Sequence, residues 1–228
     1  AKAKLRRQIM IATTSVGPGA TNMVTAAGVA HSNRLPVLLL SGDTYNNRLP
    51  DPVLQQVEHF GEPSTTVNDS FRSVSRFWDR ITHPAQILSS LPQAVATMMD
   101  PADCGPAFIG LPQDVQEIAY DYPVEFFNET TWRIPRSRPD LQQVDEAVKI
   151  LKTAKKPLII SGGGVRYSGA VEALVKFSED RMIPVAETIA GKGAFVHDHP
   201  FYVGAIGIEG TDAAKELAEN ADVIIAVG

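Results

Sequence analysis

The sequence predicts an α/β fold in which parallel sheets carry helices on both faces. Three observations support this prediction. Short apolar runs bounded by glycine or proline recur along the chain, as expected of strands buried inside a parallel sheet. Stretches with apolar residues at helical spacing separate the runs, and such strand–helix–strand repetition builds parallel sheets covered by helices. A segment rich in proline and charge, 118–140, divides this pattern into two parts.

Three strands are predicted before the divide. The runs QIMIAT (8–13), PVLLLSG (36–42) and PAFIGLP (106–112) are short and carry no charged residue. We therefore expect each of them to be a strand that is buried on both faces.

Two helices are predicted between these strands. Apolar residues recur at helical spacing in TNMVTAAGVAHSNR (21–34), where Thr21 or Asn22 can cap the N-terminus. The second helix runs through AQILSSLPQAVATMMD (85–100). Pro92 within it should kink the helix or mark its true start, because proline cannot donate the helical hydrogen bond.

The alternation resumes after the divide. Helices are predicted at LQQVDEAVKILKTA (141–154), AVEALVKFSED (170–180) and DAAKELAENA (212–221), and strands at PLIISGG (157–163), IPVAET (183–188) and DVIIAVG (222–228). We therefore predict a first domain over residues 1–117, a linker over 118–140 and a second domain over 141–228.

Composition excludes several classes of protein. The chain has 228 residues, 44% of them hydrophobic and 21% charged, which is the balance of an ordinary globular protein. Its net charge of −5 is not that of a nucleic-acid binder. No apolar run approaches the ~18 residues that span a bilayer, so no membrane association is expected. The single cysteine, Cys104, cannot form an internal disulfide and favours a cytoplasmic location.

Both ends of the chain are typical of a piece of a longer protein. The chain begins without methionine at AKAKLRRQ (1–8), which has the charge of the last turn of a helix. It ends at ADVIIAVG (221–228), a pattern typical of a buried strand.

The first candidate site is the run SVGPGATN (15–22). A strand, then glycines, then a helix N-terminus leave backbone N–H groups unpaired, which suits a phosphate or a flat polar ring. The alternative is a tight strand–helix turn in which the glycines only supply positive φ.

The second candidate is SGGGVRYSGA (161–170), again between a strand and a helix. Gly162 and Gly164 begin a dinucleotide fingerprint, but Tyr167 stands where the third glycine belongs. Glu187 ends the next strand, where an acid that binds ribose could lie. A structural turn of a Rossmann-like domain is the favoured interpretation.

Other candidate side chains give weaker signals. Asp43 and Arg48 follow a predicted strand at the edge where open α/β sheets bind ligands. A role in contacting the substrate and a role in the structure of the loop are equally favoured for both residues. His197 and His199 flank an aspartate, but their spacing without further ligands is poor support for a metal site. Cys104 has no neighbouring base in sequence and is interpreted as an inert thiol.

Six segments, taken in chain order, resemble the thiamine-diphosphate-dependent enzymes of the acetolactate synthase type. The segments are TTSVGPGATN, RLPVLLLSGD, GPAFIGLPQDVQ, KPLIISGGGV, IPVAETIAGKGAF and DHPFYVGAIG. The resemblance implies part of a pyrimidine-binding domain followed by most of a Rossmann-like central domain. The chain departs from the family at Val16, where the family has serine.

The resemblance assigns a role to the first glycine run. It implies that Gly17, Pro18 and Gly19 bring the backbone close to the pyrimidine ring of the cofactor, and that Asn22 starts the helix behind them. In this family the site lies between domains of two subunits. The loop would therefore form half of a shared pocket in a homo-oligomer, a dimer or a tetramer.

Within the family, two segments are similar to enzymes that hydrolyse a C–C bond of a polyhydroxylated cyclic dione in inositol catabolism. They are the stretch from NMVTAAG to VEHF and the stretch NDSFRSVSRFWDRI. A ring with several hydroxyls needs several polar contacts. The candidates on this chain are Asp43, Asn46, Asn47, Arg48, Gln55 and Gln56.

Two parts of the family's site are expected to be missing. The family's catalytic glutamate lies on the helix before the glycine strand, and residues 1–8 contain no acid. The G-D-G motif that holds Mg²⁺ and the diphosphate does not occur in the chain. We therefore expect thiamine diphosphate and Mg²⁺ in the intact protein, and no catalytic residue, metal site, bound cofactor or activity in this chain alone.

Three alternatives stay open at this point. The first is a carboligase similar to acetolactate synthase that acts on pyruvate. The second is a nucleotide-binding module, with the dinucleotide held by residues 161–170. The third is an interaction domain, because truncation would expose surfaces that the intact oligomer buries.

Overall fold

The computed structural model describes Ala3 and residues 8–49 and 53–228. The chain divides into two compact units, 1–136 and 137–228, and this division falls within the predicted linker. The domain limits proposed above stay predictions. The helical turn predicted over residues 1–8 lies almost wholly outside the described residues.

The first unit alternates strands with helices. Its elements are β1 Met10–Thr14, α1 Pro18–Ser32, β2 Val37–Asp43, β3 Phe77–Arg80, α2 Ile87–Met99, β4 Ala107–Pro112 and the short α3 Gln113–Gln116, with 3-10 turns at Val67–Ser73, Pro84–Gln86 and Val124–Phe127.

The four strands of this unit form one parallel sheet in the order β1-β2-β4-β3. Thr14 pairs with Ser41, and Asp43 pairs with Pro112, so the carboxyl ends of the strands meet at one edge. This confirms the predicted fold class. It also creates the edge at which open α/β sheets bind their ligands.

Apolar cores cover both faces of the sheet. Ala20 and Ala27 of α1 pack with Phe108 on one face, and Phe71 stacks on Phe108 with ring centroids 4.2 Å apart. On the other face, Ala94 of α2 lies in a cluster with β4 residues. The two helices therefore anchor the sheet from opposite sides.

The prediction that every strand is buried on both faces is wrong for β1. Its residues alternate between half-buried and exposed, and Ile11 is 64% exposed. The reason is its place in the sheet, because β1 is an edge strand in the part of the chain that the structure describes. The inner strands β2 and β4 are much more deeply buried.

The predicted start of α1 is also wrong. The helix begins at Pro18, not at Asn22, and Thr21 Oγ1 donates a hydrogen bond to the Pro18 carbonyl oxygen instead of capping the helix. Proline at the first helical position is favourable because its φ is already helical and its missing N–H would have no partner there.

Pro92 does not mark the start of α2, which begins at Ile87. A 3-10 turn over Pro84–Gln86 precedes it, and His83 Nδ1 accepts a hydrogen bond from the Ala85 N–H. This local cap, and not the proline within the helix, sets where the helical segment begins.

The second unit contains a second parallel sheet in the order β7-β6-β5-β8. Its elements are α4 Leu141–Thr153, β5 Pro157–Ser161, the short α5 Gly164–Tyr167, α6 Val171–Arg181, β6 Val185–Glu187, β7 Tyr202–Ala205, α7 Asp212–Asn220 and β8 Val223–Val227. No helix in the described ranges is long and apolar enough to cross a membrane.

Candidate cofactor and substrate site

The glycine loop, residues 17–19, leads from β1 into α1. Gly17 has φ of 73°, a conformation that favours glycine. A Cβ at Gly17 would also collide with the carbonyl oxygen of Gln55, while one at Gly19 would lie 2.5 Å from Thr14 Oγ1. Position 17 therefore requires glycine because the backbone of the chain's own segment around Gln55 packs against it.

The loop forms the positive end of α1. Gly17 is the N-cap, and no side chain in the described part of the chain caps the helix. The Thr21 N–H closes the first helical hydrogen bond on the Gly17 oxygen at 3.0 Å. The N–H groups of Gly19 and Ala20, which precede it, have no acceptor within the helix, and this is the arrangement that attracts polar or negative groups.

A hollow of about 310 Å³ opens at the carboxyl edge of the first sheet. We call it the edge hollow, and it lies between the ends of β1, β2 and β4. Its lining residues are Thr13, Thr14, Ser15, Val16, Leu40, Ser41, Gly42, Asp43, Leu111, Gln113 and Gln116. Val16, the residue before the glycine loop, lines this hollow, whereas residues 17–19 do not.

A second space of about 190 Å³ lies beside the loop that follows β2. We call it the loop cleft. Its lining residues are Thr44, Tyr45, Arg48, Gln56, Glu58, His59, Phe60, Pro63 and Thr65. Gln56 and Glu58 line the cleft, whereas Gln55 and Val57 lie against Gly17, so alternate residues of one segment face the two sides.

Gln56 has an unpaired donor. Its side chain is almost fully buried, with 2% exposure. Its Oε1 accepts a hydrogen bond from the Tyr45 N–H at 3.3 Å. Its Nε2 has no hydrogen-bond acceptor among the residues that the structure describes.

Asp43 and Arg80 form an ion pair beneath the edge hollow. Asp43 is fully buried, and its Oδ2 accepts a hydrogen bond from Arg80 Nε at 2.7 Å. Its Oδ1 accepts from the Thr44 N–H at 2.8 Å. Both carboxylate oxygens are already bonded, so the geometry favours the structural interpretation of Asp43 over direct contact with a substrate.

Arg80 also reaches the 3-10 turn at Val67–Ser73. Its Nη2 donates to Asp69 Oδ2 at 2.7 Å and to Thr66 Oγ1 at 2.8 Å. Burial alone would lower the pKa of Arg80, but hydrogen bonds to Asp43 and Asp69 and their negative charges raise that pKa above its usual range. Arg80 is therefore a permanent cation at this position.

The structure brings some of the predicted substrate residues together and separates others. Arg48 and Gln56 line the loop cleft, while the Gln55 side chain is exposed. The backbone N–H groups of Asn46 and Asn47 are held by the carboxylate of Asp114 at 2.9 and 3.0 Å.

Of the predicted cofactor residues, Gly17, Pro18 and Gly19 do not line the edge hollow, although Val16, which precedes Gly17, does. Asn22 is exposed on α1 and lines neither the edge hollow nor the loop cleft.

Several lining residues were missed by the sequence analysis. Gln113 and Gln116 stand in the short α3 directly after β4, so the rule that places ligands beyond strand ends could have found them. Arg80 was missed because the segment SRFWDR (75–80) mixes charged and aromatic residues and gives no local sign of a site. Its buried partner, Asp43, lies 37 residues earlier, and no local pattern reveals such a pair.

The second glycine run packs against its own unit. Added Cβ atoms at Gly162 and Gly164 would meet the backbone of Gly228. The Glu187 carboxylate accepts hydrogen bonds from three N–H groups, those of residues 193–195, at 2.7–3.1 Å. These contacts explain the two glycines and Glu187 without any bound ligand. They agree with the favoured interpretation of this run as a structural turn.

The remaining candidates have ordinary partners. His199 Nε2 lies 3.2 Å from Glu179, and the described residues contain no cluster of three potential metal-ligating side chains. Burial, followed by the charge of Asp100, raises the pKa of the Cys104 thiol above its usual range. The thiol is therefore uncharged near neutral pH.

Two parts of the chain match two domain families of known proteins. The N-terminal TPP binding domain of thiamine pyrophosphate enzymes matches residues 1–61, and the central domain of the same enzymes matches residues 144–228. The matches lie in the expected order, and together they cover well over half of the chain.

Curated relatives align with the whole chain. A 3D-(3,5/4)-trihydroxycyclohexane-1,2-dione hydrolase of Geobacillus thermodenitrificans is 52% identical over 228 residues, and one of Clostridium tetani is 50% identical over the same length. The chain covers 36% and 35% of these two proteins. It therefore spans about a third of the length of the relatives that it matches.

A solved structure shares the fold. A protein of Mycobacterium smegmatis assigned to the thiamin diphosphate-dependent enzymes superposes with a TM-score of 0.74 and 21% identity. The superposition covers 99% of this chain and 41% of that one. At this identity, the likeness supports the fold.

Proposed function

Since this chain belongs to the thiamine pyrophosphate enzymes, we propose that it is a piece of a hydrolase that opens trihydroxycyclohexane-1,2-dione. The parent enzyme would cleave one C–C bond of the ring with water and yield 5-deoxy-glucuronic acid in myo-inositol degradation. The observation that carries this proposal is the 52% identity to a hydrolase of that name over every residue of the chain. A cytoplasmic homo-oligomer is proposed for the intact protein.

The glycine loop is proposed to hold the pyrimidine ring of thiamine diphosphate. The edge hollow has space for a small ring, and Val16, which leads into the glycine loop and α1, lines it. In the proposal, the loop of Gly17, Pro18 and Gly19 approaches the ring through its backbone. Asn22, the fourth residue assigned to the cofactor, is held on the outer face of α1. Thiamine diphosphate, bound with Mg²⁺, supplies a carbon nucleophile and an electron sink for C–C cleavage.

The polar residues beyond β2 are proposed to bind the substrate. Arg48 and Gln56 offer hydrogen-bond donors to the ring oxygens from the loop cleft, and Gln55, whose backbone carbonyl lies against Gly17, has an exposed side chain. Asp43 does not bind the substrate directly in this proposal, because Arg80 and the Thr44 N–H already occupy both of its carboxylate oxygens. Asp43 thus orients the loop that begins at Thr44.

The chain alone is proposed to be inactive. Residues 1–8 supply no carboxylate to polarise the cofactor, and the sequence contains no G-D-G motif for Mg²⁺ and the diphosphate. The roles of this chain would then be to bind one side of the cofactor, to orient the dione and to exclude water until the ring has opened.

Turnover by the full-length enzyme tests the proposal. With thiamine diphosphate and Mg²⁺ present, the enzyme should convert the cyclic dione to an acid, with one water consumed for each ring opened. Omission of the cofactor should abolish this activity. Condensation of pyruvate with no conversion of the dione would contradict the proposal and favour a carboligase of the acetolactate synthase type.

A further inference from the structure

We propose that the loop cleft binds a hydroxylated carboxylate, with Gln56 Nε2 and Arg48 as the donors that hold its oxygens. The ligand class rests on the proposed function, because hydrolytic ring opening of a polyhydroxylated dione produces a chain with hydroxyls and one new carboxylate. The loop cleft would therefore hold the product after the ring has opened. The ring-binding role proposed for Arg48 and Gln56 would then extend to the opened chain.

The orientation of the Gln56 amide follows from one neighbour. The Tyr45 N–H is a donor and lies 3.3 Å from the Gln56 side chain. Only the amide oxygen can accept that hydrogen bond, so the NH₂ group must be at the other end. That NH₂ group is the one with no acceptor among the described residues.

A buried donor without an acceptor destabilises the structure that contains it. Gln56 is 2% exposed and lines the loop cleft, so the missing acceptor has to be supplied from the cleft. An oxygen of a ligand in the loop cleft would satisfy the NH₂ group and remove this cost. The cleft should therefore select ligands that carry a carbonyl, carboxylate or hydroxyl oxygen at this point.

The charges around the loop cleft suit a carboxylate that also carries hydroxyls. The Arg48 side chain makes no ion pair within the described ranges, and it is exposed at the cleft. Glu58 Oε1 is already engaged by the Val53 N–H at 2.9 Å, which leaves its other oxygen for a ligand hydroxyl. A carboxylate at Arg48 and hydroxyls near Glu58 would match both charges.

The size of the loop cleft limits the ligand. Its volume of about 190 Å³ lies below the ~300–1,000 Å³ of pockets that hold drug-sized molecules. A chain or ring of six carbons is of the appropriate size. A nucleotide or a peptide is too large.

The test is calorimetric titration of the full-length protein without thiamine diphosphate. The probes are D-glucuronate, which has hydroxyls and a carboxylate, myo-inositol, which has hydroxyls only, and acetate, which has a carboxylate only. The variants are Gln56→Glu, which keeps an oxygen for the Tyr45 N–H and loses the donor, and Arg48→Gln, which removes the charge. Gln93→Glu, on the exposed face of α2, is the matched control.

The expected result is binding of glucuronate that is stronger than binding of inositol or acetate. Gln56→Glu should weaken the affinity for glucuronate about tenfold or more, as the loss of a hydrogen bond to a charged group predicts. Arg48→Gln should weaken glucuronate more than inositol, because only glucuronate loses an ion pair with the guanidinium, and Gln93→Glu should have no effect.

Absence of glucuronate binding to the unmodified protein would overturn the proposal. Equal affinities for glucuronate in Gln56→Glu and Gln93→Glu would also overturn it. Because Arg48 is exposed, its variant stays informative even if the change at Gln56 disturbs folding. Glucuronate binding without turnover of the dione would refute the proposed reaction alone, and turnover without glucuronate binding would refute the product site alone.

Discussion

The Arg80 guanidinium lies 2.7 Å from the fully buried Asp43 carboxylate, and this ion pair joins the end of β2 to the end of β3. The same guanidinium reaches Asp69 at 2.7 Å, on the 3-10 turn that packs against α1. The ring of Trp78 lies 5.1 Å from the Arg80 guanidinium carbon. One cation therefore holds together three segments, the ends of β2 and β3 and the 3-10 turn, and Asp43 of this network lines the edge hollow.

Replacement of this cation should destabilise the first unit. In Arg80→Met, Asp43 would stay buried without its partner, and loss of one member of a buried pair costs ~3–5 kcal/mol of unfolding free energy. Arg72→Met is the control, because the Arg72 side chain in its ion pair with Asp69 is 57% exposed and such pairs contribute about 1 kcal/mol or less. Urea denaturation measures both changes, and equal losses would contradict the structural role of Arg80.

Acid should weaken the same network through Asp69. Burial alone would raise the pKa of Asp69, but hydrogen bonds from the Thr66 N–H, Arg72 and Arg80 lower it below its usual range. A carboxyl whose pKa is depressed in the folded state stabilises the fold above its unfolded pKa of about 4. That stability is lost as the pH falls through the lower folded pKa.

The Asp69→Asn variant tests this pH dependence. It should be less stable than the unmodified protein at pH 7, and the difference should shrink as the pH falls below about 4. Urea denaturation at a series of pH values measures the difference. Two curves that run parallel down to pH 3 would show that Asp69 contributes nothing through its charge.

Two glycines of the same helical segment should respond in opposite ways to alanine. Gly17→Ala places a Cβ against the Gln55 carbonyl in a positive-φ conformation, so it should destabilise the unit and displace the segment around Gln55. Gly28→Ala, inside α1, meets only Val74 Cγ1 at 3.8 Å and should stabilise the helix by about 0.5–1 kcal/mol. Thermal unfolding of both variants measures this, and stabilisation by Gly17→Ala would refute the close approach.

The Cys104 thiol should react slowly. Burial and the nearby charge of Asp100 raise its pKa, and the thiol hydrogen is directed to the Met98 oxygen at 3.2 Å. Because only the thiolate attacks alkylating reagents, iodoacetamide at pH 8 should label Cys104 more slowly than a cysteine in an unstructured peptide. Labelling as fast as the peptide would show that the thiol is open and ionised.

The elements with strong local patterns were predictable from the sequence. The apolar run of β2 and the helical spacing of α6 were visible without tertiary information, and so was the parallel α/β class. The strand β3 was not visible, because Asp79 and Arg80 interrupt its apolar pattern. Arg80 is tolerated because it meets Asp43, and Asp79 because Ser90 Oγ donates a hydrogen bond to it. Both contacts exist only after β3 has joined the sheet and α2 has packed on it.

The site was likewise predictable only where the residues carry a local signal. The glycine loop carries a local signal, since Gly17 needs a conformation that other residues avoid. The loop cleft does not, because Tyr45 and Gln56 come together through one hydrogen bond across eleven positions. The sequence suggested which polar residues are available, but the division of Gln55 and Gln56 between two sides required the structure.

The central claim is that this chain supplies only one side of a thiamine diphosphate site, and calorimetric titration of the cofactor with Mg²⁺ tests it most directly. The account predicts clear binding heat with the full-length enzyme and none with the 228-residue chain. Stoichiometric binding by the chain alone would contradict the account, because its glycine loops would then form a complete cofactor site.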